Sequence, residues 1–199
     1  MNRTFSKPAL LAAAAVAALA ACSTEPRVSI NTVPAVAVMA PAPPVTVIMG
    51  AGTFTTVDRD FAFTAALANM TEIGASQMAP KHTSSADVLN LAGMINQHHT
   101  MAMNDLMAIM RARGMAIPGD ISPSERHLMD RLGTDYGFEY DQDFVRRVGV
   151  QAHQNDIAYF QDQMPRLGDP ELRNWAARNL PLMQQHLNMA LDISSRIAG

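Results

Sequence analysis

Cysteine occurs once in the 199 residues, at Cys22. No disulfide can therefore form within the chain, and a disulfide-stapled scaffold is excluded. Aromatic residues make up only 6% of the chain, with a single tryptophan, so a core has to be filled by aliphatic and small side chains. Basic residues are few and unclustered, and the formal charge of −3 becomes −5 if Arg3 and Lys7 are removed with a leader. Nucleic acid is not an expected partner of such a chain. The sequence also lacks a glycine-rich phosphate loop opening a helix, a Ser or Cys nucleophile with a base at local spacing, and a zinc-protease helix motif. With no acid/base couple or substrate pocket to name, catalysis ranks behind binding and scaffolding. What is present is 48% hydrophobic content, rich in alanine, enough for one all-helical domain.

The amino terminus carries the most specific signal. Arg3 and Lys7 form a positive region, Ala9 to Ala18 an apolar one, and Leu19-Ala20-Ala21-Cys22 matches a cleavage site that leaves a cysteine at the new terminus. A transmembrane anchor is the competing reading, but residues 9–21 fall short of the roughly 20 needed to cross a bilayer. The sequence thus predicts an export signal over residues 1–21 and lipidation of Cys22, which anchors the mature protein to a membrane. Ser23, in place of the Asp that retains inner-membrane lipoproteins, points to the outer membrane and a periplasm-facing domain. Residues 22–56 are rich in Pro, Ala, Val and Thr and read as a tether with a reach of roughly 30 to 35 Å. Within it, Val45 to Met49 is apolar enough either to pack on the domain or to form an edge strand.

Residues 57–199 read as helix. The pattern predicts a first helix from Val57 to Ala79, ended by Pro80, and a second from Ser84 or Ser85 to Arg113, stopped by Gly114. Ser122-Pro123-Ser124-Glu125 has capping-box spacing and opens a short helix to Leu132, closed by Gly133 and Gly137. A third long helix is expected from Asp141 to Met164 and a fourth from Asp169-Pro170 to Ile197, kinked at Pro181. Two hairpins of long helices, joined by a connection from Gly114 to Tyr140 that can cross the bundle, describe a ferritin-like four-helix bundle with a short extra helix in the 2–3 connection.

Helical spacing then places the ionisable residues. His99 shares a stripe with Ala92, Ile95, Ala102, Met103, Leu106 and Met110. His153 is in register with Val145, Gly149, Ile157, Phe160 and Met164, and His186 with Leu182, Met183, Met189, Ala190 and Ile193. On the first helix Glu72 lies among Ala65, Ala68, Ala75 and Ala79. Each long helix thus offers one ionisable residue to the interior, where a carboxylate needs a partner and an imidazole needs hydrogen bonds or a metal. Glu72, His99, His153 and His186 are candidate metal ligands; the alternative is a closed hydrogen-bond network that sets helix register.

The residues that carry this pattern also carry a resemblance. Phe61, Glu72-Ile73 with Ala79, Val88-x-x-Leu91-Ala92, His99 with Leu106 and Gly114, and Ala152-His153-Gln154 with Phe160 fall in one order. Asp169-Pro170-Glu171-Leu172 and Leu180-Pro181 before His186-Leu187 complete it. Over residues 58–195 the chain resembles the ferritin-like bacterial envelope family catalogued as domain of unknown function 4142. The resemblance implies an exported four-helix bundle and brings no activity with it. One departure stands out: the family usually has an acidic residue just before the helix-two histidine, where this chain has His98.

Ligand chemistry bounds the metal. No Glu-x-x-His occurs, which disfavours a di-iron carboxylate centre. A Glu with three or four His suits zinc, iron, manganese or copper(II), while the 15 methionines suit copper(I). His98, Met94, Met101, Met103, Met183 and Met189 are accordingly auxiliary candidates, although a helical methionine stripe is also ordinary core filling. His82 and His127 are the weakest candidates. Two functions stay open: a membrane-anchored metal-binding module, with copper handling as one form, and an envelope scaffold whose polar cluster is structural and whose surface binds a protein partner.

Overall fold

The computed structural model describes residues 52–197, and among these the chain is helical with no strand. The expectations for the leader, Cys22 and the segment 45–49 lie outside the described residues. The order is α1 (Thr56–His82), α2 (Ala86–Ala112), α3 (Pro123–Leu132), α4 (Gly137–Phe144), α5 (His153–Gln163) and α6 (Pro170–Ile197). A π-helical segment, Val145–Ala152, runs without a break from α4 into α5, and a 3-10 turn, Met164–Arg166, follows α5. No helix of the described residues is long and apolar enough to cross a membrane.

The helix starts follow the local chemistry. Thr55 and Asp58 cap α1 reciprocally, with the Asp58 amide donating to Thr55 Oγ1 at 3.1 Å and the Thr55 amide to Asp58 Oδ2 at 2.9 Å. Ser85, the second of the two expected caps, accepts from the Val88 amide. Ser122 and Glu125 close the predicted capping box on α3, and Asp169 Oδ1 accepts from the Glu171 and Leu172 amides, both at 2.9 Å. At the end of α2, Gly114 adopts φ +65°, so that the Met115 amide reaches back to the Met110 carbonyl at 2.9 Å.

Three boundaries differ from expectation. Proline 80 does not end α1, because in the last turn it removes a single amide and His82 anchors that turn from outside. The His82 ring stacks on Tyr136 and Tyr140, and its Nδ1 lies 2.8 Å from the Asp135 carbonyl oxygen. The third long helix begins at Gly137 rather than Asp141, because Tyr140 is fully buried in its first turn. Phe54, assigned to the tether, packs into the core, so the folded unit begins before residue 57.

Cross-links between helix ends define the topology. Asp58 Oδ1, at the start of α1, accepts from the Gly168 and Asp169 amides that precede α6. Arg113, at the end of α2, donates to Asp169 at 2.7 Å and to Glu171 at 3.0 Å. The start of α1, the end of α2 and the start of α6 thus share one end of the bundle. At the other end His82 meets Tyr136, and Arg196 pairs with Asp87. The connection from α2 to α4 therefore spans the bundle lengthwise, as its length predicts, with α3 packed on α1 along the way.

Two apolar clusters fill this bundle. One gathers Phe61, Leu106, Phe160, Leu172 and Trp175, and the other Leu91, Ile95, Tyr140, Phe144 and Ile193. Between them, at mid-height, lies a buried polar layer of Glu72, His99, His153 and His186.

Candidate metal centre

Each long helix contributes to this layer, and the π segment is what sets one contribution. Phe144 and His153 are nine residues apart and both fully buried. In a regular α-helix nine residues leave two side chains about half a turn out of phase, whereas roughly 4.4 residues per turn in a π-helix bring them onto one face. The same segment brings the Val148 carbonyl to 2.9 Å from His153 Nδ1. Gly149 makes the approach of α6 possible: a Cβ there would lie 2.7 Å from the Ala190 Cβ.

The hydrogen-bond partners dictate the tautomers. A carbonyl oxygen only accepts, so His153 Nδ1 donates to Val148 and its Nε2 carries the lone pair. His186 Nδ1, 2.9 Å away, donates to that Nε2, and His98 Nδ1 donates in turn to His186 Nε2, also at 2.9 Å. His99 Nδ1 faces two acceptors, Asn69 Oδ1 at 3.1 Å and Glu72 Oε2 at 3.0 Å, and so turns its Nε2 away from both. That Nε2 is buried with no hydrogen-bond partner. Both oxygens of Glu72 are in the same state: the Nδ1 atoms of His99 and His153, at 3.0 and 3.3 Å, are close but not aligned to donate to them.

Burial works against charge throughout the layer. For Glu72 burial alone would raise the carboxyl, but the adjoining His99 and His153 hold it down to about 2. Burial pushes His186 down to about 3, assisted by the surrounding His153, His99 and His98, and burial likewise lowers His153 against the pull of Glu72. At neutral pH His153 and His186 are uncharged imidazoles beside a carboxylate, which is the protonation state that metal ligation requires. Asp156, one turn beyond His153, is raised to about 8 by burial and then by the Glu72 charge, so it keeps its proton at neutral pH.

These donors fit a transition metal. His99, His153 and His186 each offer a ring nitrogen, and the three lie within 4.8 Å of one another. Tetrahedral ligands on a metal with bonds near 2.0 to 2.1 Å stand about 3.3 Å apart, so on binding the three nitrogens would draw closer and His153 and His186 would exchange hydrogen bonds for the metal. The outer partners match as well: ligating histidines hold their second nitrogen against a carbonyl or carboxylate, as His153 does with the Val148 carbonyl and His99 with the Asn69 side-chain carbonyl.

The auxiliary candidates separate. His98, half-buried, reaches His186 as described, and Met183 lines the cavity beside the layer. Met103 belongs to the first apolar cluster, Met94 and Met189 pack against the second, and Met101 is 55% exposed. The donor set that converges is imidazole and carboxylate, with a single thioether nearby. His82 is tied to Tyr136, and His127 is exposed on α3.

Asn69 and Asp156 have no place in the reading from periodicity. Each sits three residues from a recognised site residue, Asn69 before Glu72 and Asp156 after His153, so an i, i+3 search for polar pairs finds both.

Comparison with curated proteins and with solved structures found no match. A protein-family model does match, over residues 44–193, which takes in every described residue of the polar layer and three-quarters of the chain. The chain belongs to the family described as domain of unknown function DUF4142.

Proposed function

We propose that this protein is a membrane-anchored, periplasm-facing helical bundle that holds one transition-metal ion in its mid-height layer, through His99, His153, His186 and Glu72. One observation carries the reading: the two Glu72 oxygens and His99 Nε2 are buried without a hydrogen-bond partner, beside two further imidazoles. Three unpartnered polar atoms in one small volume cost several kcal/mol, which a bound cation would offset. Nitrogen and carboxylate donors favour a divalent ion of intermediate softness, zinc, iron or copper(II), over copper(I), so copper handling would take the divalent form. The anchor rests on the leader and on Cys22.

A second reading draws on a different observation. The chain from His98 through His186 and His153 to the Val148 carbonyl is a closed run of hydrogen bonds, and it suits a structural layer on an envelope scaffold. Metal content of the purified full chain by mass spectrometry, beside a His153→Ala, His186→Ala double variant, separates the two. About one equivalent of metal, lost in the variant, is the expected result. A chain that stays metal-free after loading with zinc, iron and copper leaves the scaffold reading.

A further inference from the structure

The polar layer is not sealed. A cavity borders it on one side, sharing Glu72, His99 and His186 with the layer and reaching the half-buried His98 and Asp156. Its apolar wall sets Ala65 and Ala102 beside the larger Phe160, Trp175 and Met183, and Ala68 sits half-exposed at its rim. The space open to the centre of a water molecule is about 20 Å³. A single water needs roughly 10 to 15 Å³ of such space, and drug-sized ligands need pockets of about 300 Å³ or more. Size therefore selects an occupant of one or two heavy atoms.

Composition narrows it further. The donors that converge from the protein are three imidazoles and one carboxylate, on the far side of which the cavity begins. Catalytic and ligand-exchanging metal sites keep one position for a non-protein ligand, while purely structural sites are closed on all sides by protein. Alanine at positions 65, 68 and 102 leaves this small space beside the donors unfilled. The polar groups on the cavity wall, His98, Asp156 and Asn179, give a small ligand hydrogen-bond partners that the alanines do not.

We propose that this cavity is the exchange pocket of the histidine site, holding one exogenous neutral ligand of one or two heavy atoms, water in the resting protein, against the bound metal. The inference rests on the metal-binding reading and goes beyond it, since a site can bind metal with every position filled by protein. The alanine walls keep the position open, and the half-buried rim lets the ligand enter from solvent.

The test uses the full chain loaded with copper(II), whose metal content is measured first. Electron–nuclear double resonance in oxygen-17 water then reports whether an exchangeable oxygen is bound to the copper. The expected result is an oxygen-17 coupling in the unaltered chain that is lost in Ala68→Leu, which plugs the rim at a half-exposed position, with copper content unchanged. Ala65→Val, which narrows the inner wall by two methyl groups, gives the same loss by a separate route. Stoichiometric copper without an oxygen-17 coupling overturns the open pocket and leaves the metal-binding reading intact. A coupling that persists in both variants also overturns it, since the water then lies elsewhere. A chain that takes up no copper, zinc or iron removes both readings together.

Discussion

His153 Nε2 stands 2.9 Å from His186 Nδ1, and one helical turn away on the same two helices Gly149 faces Ala190 with no room for a further methyl group. The histidine contact and the glycine are two parts of one arrangement. Because the backbones approach at Gly149, side chains as short as imidazole can meet across the gap between the third and fourth long helices.

Gly149→Ala tests this directly. The added Cβ would sit 2.7 Å from the Ala190 Cβ, which cannot rotate away, so the helices must part. A loss of about 1–3 kcal/mol in denaturant unfolding is expected. Ala190→Gly in the same chain should recover most of it, and a variant as stable as the parent contradicts the packing account.

Glu72→Leu separates stability from binding. In the metal-free chain, replacing a buried carboxylate by an apolar side chain of similar size should leave the melting temperature unchanged or raise it. The same change should lower metal retention at least tenfold, read by competition with a chelator. A large drop in metal-free stability would instead mean that Glu72 is an essential partner of His99 and His153.

Acid should unfold the metal-free domain through its histidines. A histidine whose folded value lies below its unfolded value of about 6.5 binds more protons when unfolded. Its stabilising contribution is thus fully present above that value and is lost as pH falls through the window toward about 3, the folded value of His186. Unfolding free energy should decline from pH 6.5 downward, by at most about 1.4 kcal/mol per pH unit for each such group. His186→Gln should make that slope shallower, measured by denaturant titration at several pH values.

Asp58→Ala should be costly for a residue at a helix start. Asp58 caps α1 through Thr55 and accepts from Gly168 and Asp169 near the start of α6. Removing it leaves these amides without their acceptor, for an expected loss of about 1–3 kcal/mol. Its carboxyl is lowered, with hydrogen bonds from Thr55, Asp169 and Gly168 outweighing burial, so this contribution is present above pH 4 and fades only in stronger acid. Thermal melts of the variant and parent at pH 7 and pH 3 check both statements.

Cys22→Ser tests the proposed lipid anchor alone. The variant should lose its lipid and leave the membrane fraction while keeping the helical spectrum of the parent. Retention in the membrane fraction would show that another segment holds the protein there.

Local information carried much of this. Capping residues at Ser85, Ser122 and Asp169, the stop at Gly114 and the apolar stripe around His99 are properties of short stretches, and the helices form where those stretches predict. Helical spacing also turns Glu72, His99, His153 and His186 inward, because burying one face of a long helix follows from its own residue pattern. The long connection from α2 to α4 predicts the lengthwise crossing.

Tertiary structure decided the rest. The π segment arises where Phe144 and His153 must share a face nine residues apart, a demand set by the neighbouring helices and invisible to a regular period. Spacing on α2 puts His98 on the flank of the apolar stripe, yet α6 brings His186 to within 2.9 Å of it. Met94, Met101 and Met189 share helices with the histidines but not their direction, so sequence proximity overstated their part. Periodicity determines which way a side chain points from its own helix axis. How far each helix is rotated and raised against the next depends on contacts such as Gly149 with Ala190, and those contacts decide which inward-pointing groups meet.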